Sequence, residues 1–166
     1  NRRHRSRPSA PVMRTLWGRL PAALAVLAGL MASAPARADQ IVVSLADTGR
    51  VLARLSVAEG ARWSILWNHS VDGYEVEDIY QDRGGAMVLV RSHLPDFGAG
   101  LGHIPGRGRQ VSDGRGGYWI EDIDEPVPGN AYVLRPGRPA VNHRLRTADA
   151  EISLTALAEH ARVQIA

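Results

Sequence analysis

This sequence predicts an all-β fold, a single compact β-sandwich or small barrel of roughly eight to nine mostly antiparallel strands. Three observations carry that prediction. From Trp63 to Val71, residues Trp63, Ile65, Trp67, His69 and Val71 alternate with Ser64, Leu66, Asn68 and Ser70, the period-two pattern of a half-buried strand. Short runs rich in β-branched residues recur between glycine-bearing turns. Pro128, Pro136 and Pro139 punctuate the later third of the chain, which argues against a long helix there because proline removes a backbone donor and clashes with the preceding turn.

In chain order, Ile41–Ala46 reads as a first strand and Asp47-Thr48-Gly49 as a turn. Arg50–Val57 is a second strand, with Val51, Ala53, Leu55 and Val57 on one face. The alternating third strand leads to Asp72-Gly73, a pair that favours a type I′ turn. A two-residue turn there pairs Val71 with Tyr74, His69 with Val76, Trp67 with Asp78 and Ile65 with Tyr80. One face of this hairpin is then mostly apolar, and the other carries Asn68, Ser70, Glu75 and Glu77. Ala86–Ser92 is the next strand, entered through Gly84-Gly85.

From Pro95 to Gly117 the chain turns glycine-rich and lacks a long apolar run, so it reads as a long loop with one short strand. Tyr118-Trp119-Ile120 starts a further strand, and the acidic run Glu121–Glu125 ends at Pro126. Tyr132–Leu134, Val141–Leu145 and Glu151–Leu157 read as later strands, with a short helix over Thr155–Arg162 as the alternative for the last of them. Val163–Ile165 closes the chain as a strand.

The first 38 residues read differently. Residues 1–12 are arginine-rich and read as an upstream extension, and a secretory signal follows from Met13. Arg14 and Arg19 form its basic region, Leu20–Ala34 its apolar region, and Ala36-Arg37-Ala38 its cleavage pattern, with cleavage expected after Ala38. The apolar run falls short of the ~20 residues a spanning helix needs, so no stable membrane span is expected after cleavage. Residues 39–166 are then a single exported domain, expected in the periplasm. All 17 acidic residues but only 13 of the 20 arginines lie after residue 38, a net charge of −4. That balance excludes nucleic acid as an expected partner. Cysteine is absent, which rules out disulfides, thiol nucleophiles and cysteine-based zinc sites.

The densest polar group lies between His69 and Asp78, where a histidine, the Ser70 hydroxyl and several carboxylates share ten positions. On the hairpin pairing above, His69 sits diagonal to Asp78, so a carboxylate would fix its tautomer for a base or ligand role. A structural histidine is the plainer reading. Ser70 points away from its neighbour His69 in a strand, which disfavours a Ser-His-Asp hydrolase. The histidines at 69, 93, 103, 143 and 160 have no tight spacing, so a metal site would need assembly in three dimensions. Gly98-Ala99-Gly100 sits in a stretch whose small residues let backbone N–H groups approach an anion or a small carboxylate. Rossmann spacing is missing there, and no cofactor is predicted. Arg107, Arg109 and Arg115 flank that loop.

His69-Ser70-Val71-Asp72, then Glu75-Val76-Glu77, Gly98-Ala99-Gly100-Leu101 and Asp113-Gly114 before Tyr118-Trp119, resemble the bacterial "domain of unknown function 1850" family. Its pattern is His-Ser-Val-Glu, an acidic-aromatic-acidic segment, Gly-Ala-Gly-Met and Asp-Gly-x-Trp. This chain departs from it at Asp72, Val76 and Leu101. The resemblance implies a small exported protein without an established activity, encoded near tripartite (TRAP) transporters of the TAXI type. Three functions follow as expectations. The first is a non-enzymatic periplasmic accessory domain that binds a transporter component, a solute-binding protein or a small carboxylate through His69, Ser70, Glu75, Glu77, Gly98 and Gly100. The second is a small hydrolase or isomerase with His69 as base, oriented by Asp78, and Glu77 as acid. The third is a metal-binding protein pairing His69 with His103 or His143.

Overall fold

The computed structural model describes residues 38–95 and 106–166. Gly98, Gly100, His103 and the expected leader up to residue 37 lie outside the described residues. Two antiparallel sheets form a sandwich, and neither closes into a barrel. The smaller sheet has four strands, β1 (Ala38–Leu45), β2 (Val51–Ala58), β9 (Tyr132–Leu134) and β12 (Val163–Ile165), in the order β2-β1-β12-β9. The larger comprises β3 (Arg62–Asn68), β4 (Glu75–Arg83), β5 (Ala86–Leu94), β6 (Arg109–Ser112), β7 (Tyr118–Glu121), β10 (Arg144–Arg146) and β11 (Glu151–Ser153), in the order β11-β10-β3-β4-β5-β7-β6. Its eighth member, β8 (Glu125–Pro126), pairs with β5 beside that path.

The strands number more than eight or nine, and β6, β8, β10 and β11 pair over only two to four residues. Of these, β10, β11 and β6 overlap segments expected to hold strands, and the two-residue β8 is too short to leave a period-two signature. The segment open to either reading is a short helix, α1 (Leu154–Ala158), whose N-cap Ser153 accepts a hydrogen bond from the Ala156 N–H. No helix among the described residues is long and apolar enough to cross a membrane.

Alternation sends Trp63, Ile65 and Leu145 from the larger sheet, and Ile41, Val43, Leu55 and Val57 from the smaller, into one core. Trp63 and Tyr80 stack there with ring centroids 6.2 Å apart. Asp82 is also buried, with both carboxylate oxygens occupied: Oδ1 accepts from the Gly85 N–H and Oδ2 from the Gly60 N–H. It ties the two turns at that end of the sandwich.

The β3–β4 hairpin departs from the expected pairing. Trp67 faces Val76, Ile65 faces Asp78 and Trp63 faces Tyr80, a shift of two residues. The connection is a six-residue loop, His69–Tyr74, in which the His69 N–H donates to the Tyr74 carbonyl and the Gly73 N–H donates to the His69 carbonyl. A type I′ turn needs positive φ at both central residues, and here only Gly73 has it, at 72°. Gly84-Gly85 forms that turn instead, at 65° and 86°, with Arg83 paired to Ala86. Asp72 is held otherwise: its carboxylate lies 3.2 Å from His69 Nδ1. A two-residue shift preserves which side chains face the core, so the apolar face survives for the strand residues. Val71 and Tyr74 leave the sheet for solvent, 82% and 53% exposed.

Candidate functional site

The shifted pairing puts His69 and Ser70 in the loop and keeps Glu75 and Glu77 on one face of β4. His69 lies in the loop and contacts Asp72, not Asp78, which corrects the predicted His69–Asp78 adjacency. Ser70 is exposed beside it. Glu75 forms an ion pair with Arg144 at 2.5 Å, and Glu77 accepts a hydrogen bond from the Ser64 hydroxyl at 2.6 Å, both on the outer face of the larger sheet. His143 stacks on Trp67 and accepts a hydrogen bond from the Gly137 N–H through Nδ1. Burial holds its imidazole below the usual range. Among the described residues no group of three His, Asp or Glu side chains is placed to hold a metal ion.

Two other constellations emerge. On the outer face, Trp119 of β7 is packed between two side chains of β5. The Arg91 guanidinium lies 3.7 Å from its ring centroid and the His93 ring 4.6 Å, so the cation meets the electron-rich face. Arg91 also donates to Glu121 at 2.8 Å, and His93 Nε2 lies 2.8 Å from Asp113 Oδ2. The other oxygen of Asp113 accepts from the Arg115 and Gly117 N–H groups. A Cβ at Gly117 would come within 2.6 Å of Asp113 Oδ2 and 2.7 Å of the Leu94 carbonyl, so only glycine fits. The Asp113-Gly114 and Tyr118-Trp119 motif is thus a carboxylate-capped turn that anchors the tryptophan.

The bond to His93, and then those to the backbone, hold the Asp113 carboxyl below its ordinary value. The stabilisation it gives is therefore present above the usual carboxylate range and is lost as pH falls through the lowered folded value. Acid titration of amide exchange at Arg115 and Gly117 is expected to show loss of protection in that window. Asp113→Asn is expected to remove this pH dependence.

The second constellation lies between the sheets. A cavity of about 550 Å³ is lined by Asp78 and Tyr80 of β4, Leu89 of β5, Arg107, Glu125 and Tyr132 of β9, with Pro126–Pro128 along one wall. Volumes of ~300–1,000 Å³ are typical of small-molecule sites. Asp78 is inward because it follows the same alternation as Val76 and Tyr80. Its Oδ1 accepts a hydrogen bond from the Ser92 hydroxyl on the adjacent strand. Burial pushes the Asp78 carboxyl above its ordinary value, partly offset by the Ser92 hydrogen bond and the charge of Arg107.

Tyr80 and Tyr132 meet across the seam with ring centroids 5.8 Å apart and planes tilted by 52°. Burial raises the pKa of both phenols, so both remain neutral. Arg107 grips Glu125 in a fork, Nε 3.2 Å from each carboxylate oxygen and Nη2 2.8 Å from Oε2.

The geometry offers a cleft with aromatic and aliphatic walls, one inward carboxylate and a paired arginine at its rim. Sequence reasoning placed Asp78 only as a partner of His69. Its signal was present nevertheless: an acidic residue at an inward position between Val76 and Tyr80. Ser92, Glu125 and Tyr132 left no comparable signal, since their convergence depends on three strands meeting.

A smaller cavity of about 160 Å³ touches Trp63 and Asp82. The carboxylate there is already committed to backbone donors.

The chain has no match among curated proteins or solved structures. One family model matches residues 63–154, a stretch that carries nearly all of the larger sheet, β9 and every residue of the 550 Å³ cavity. On that match, over more than half its length, the chain belongs to the family described as "Domain of unknown function (DUF1850)".

Proposed function

We propose that this chain is an exported, non-enzymatic binding domain that takes a small solute into the cavity between its sheets and serves a TAXI-type uptake system as a periplasmic accessory. The observation that carries the binding part is the cavity itself, with an inward carboxylate, two facing phenols and apolar walls. The export part rests on the leader pattern between Met13 and Ala38. The transporter part rests on the family resemblance. An accessory role fits a site that recognises without an evident nucleophile: Asp78 lines the cavity, and among the described residues no histidine does.

Thermal unfolding against a panel of small carboxylates, amino acids, amines and divalent metals tests the binding. A ligand confined to the native state adds about 2.7 kcal/mol at a hundredfold excess over its Kd. The expected result is a midpoint rise for at least one organic solute, preserved in His69→Ala and lost when Tyr132→Leu opens the cavity wall. A rise lost in His69→Ala and kept in Tyr132→Leu would move the site to the loop. No rise with any solute would refute the small-solute reading.

A further inference from the structure

We propose that the cavity selects an organic cation, a small ligand whose ammonium group sits against Asp78 while its apolar body lies along Leu89, Val127 and the two tyrosines. This inference rests on the cavity being a solute site, and adds the chemical class of the solute. Three charged side chains line it among the described residues: Asp78, Arg107 and Glu125. Arg107 is held by Glu125 in the fork, so the three carry a formal charge of −1 and the Arg107 charge offsets that of Asp78 only in part. What remains is one negative charge on Asp78, with the neutral Ser92 hydroxyl as its only hydrogen-bond donor and no ion-pair partner among the described residues.

An entering carboxylate would meet that charge and would have to break the fork to reach a cation. An ammonium group meets the opposite situation. Asp78 supplies the counter-charge, and the neutral Tyr80 and Tyr132 beside it add no charge that would repel a cation. Desolvation of the carboxylate, unfavourable in the empty protein, is offset when a cation is bound beside it.

Calorimetric titration of the purified protein with butylammonium, tetramethylammonium, butyrate and butanol tests this. The expected result is binding of one or both ammonium probes with no detectable butyrate binding. Asp78→Asn is expected to weaken ammonium binding about tenfold or more, with circular dichroism showing the variant folded. Glu125→Gln, at an exposed rim position, provides a measurement independent of how Asp78→Asn folds. It removes one negative charge beside Arg107, so ammonium binding is expected to weaken severalfold and butyrate binding to appear. Butyrate or butanol binding tighter than either ammonium probe, or Glu125→Gln changing neither ligand class, would overturn the cation proposal while leaving the solute site standing. Failure of all four probes, together with failure of the wider panel, would overturn both.

Discussion

Asp78→Asn is expected to make the unliganded protein more stable at neutral pH, by on the order of 1–3 kcal/mol, the scale of an incompletely satisfied buried polar group. Burial raises the folded-state pKa of Asp78, so the ionised carboxylate is less stable inside the protein than in the unfolded chain. Below the usual carboxylate value both states hold the proton and there is no penalty. As pH rises from there through the folded value, the unfolded chain releases its proton first and the native state loses stability. Asparagine is nearly isosteric and keeps an acceptor for the Ser92 hydroxyl, yet has no charge to desolvate.

The groups facing Asp78 set the size of this effect. Ser92 on β5 and Arg107 at the rim favour the charged form, whereas Glu77 next to it disfavours that form. Tyr80 and Tyr132 are neutral walls. Paired denaturant titrations of wild type and variant from acid to neutral pH are the measurement. The two curves should meet in acid and separate as pH rises through this window, with the variant above. Equal stability at every pH would mean that the carboxylate is better solvated than its place in the cavity implies. A gain in stability accompanied by a loss of ligand binding would mark Asp78 as a residue kept for function at a cost to folding.

How much of this was legible beforehand depends on the kind of signal. Alternation over Trp63–Trp67 and the glycine pair at 84–85 identified an all-β chain with β3, β4 and β5 in succession, because period and turn chemistry are local properties. The Asp72-Gly73 turn misled for a physical reason. A dipeptide preference is worth little against a loop in which the Asp72 N–H donates to the His69 ring and backbone hydrogen bonds close six residues. The two-residue shift left the core faces intact but removed His69 from any partnership with Asp78. The cavity instead brings together residues 29 positions apart, Asp78 and Arg107, with Tyr132 arriving from the other sheet. Convergence of that kind leaves no spacing to read. What the sequence does record is the local misfit, an aspartate among inward apolar residues, and such misfits are where function is expected to depart from folding rules.

Tyr80→Ala is expected to have the largest cost, about 3–5 kcal/mol, the range for truncating a buried aromatic. Tyr80 is 2% exposed, stacks on Trp63 within the larger sheet and meets Tyr132 of the smaller one. Truncation therefore opens a void beside Trp63 and removes one side of the only aromatic contact described between the sheets. Tyr80→Phe separates packing from polarity: it keeps the ring and deletes a hydroxyl that burial and the nearby Asp78 charge hold in its neutral form. Its expected cost is about 0.5–1.5 kcal/mol, the net value of the one hydrogen bond the Tyr80 hydroxyl shares with that of Tyr132. Chemical denaturation of the three proteins checks both values. If Tyr80→Ala costs no more than Tyr80→Phe, the seam is held by the aliphatic core alone and the cavity wall is free to move. If the costs separate as expected, the residue that shapes the cavity also joins the sheets, and the β9 wall cannot open widely without loss of that contact. The cleft would then be largely preformed, with any ligand's affinity set by the groups that line it rather than by closure around the ligand.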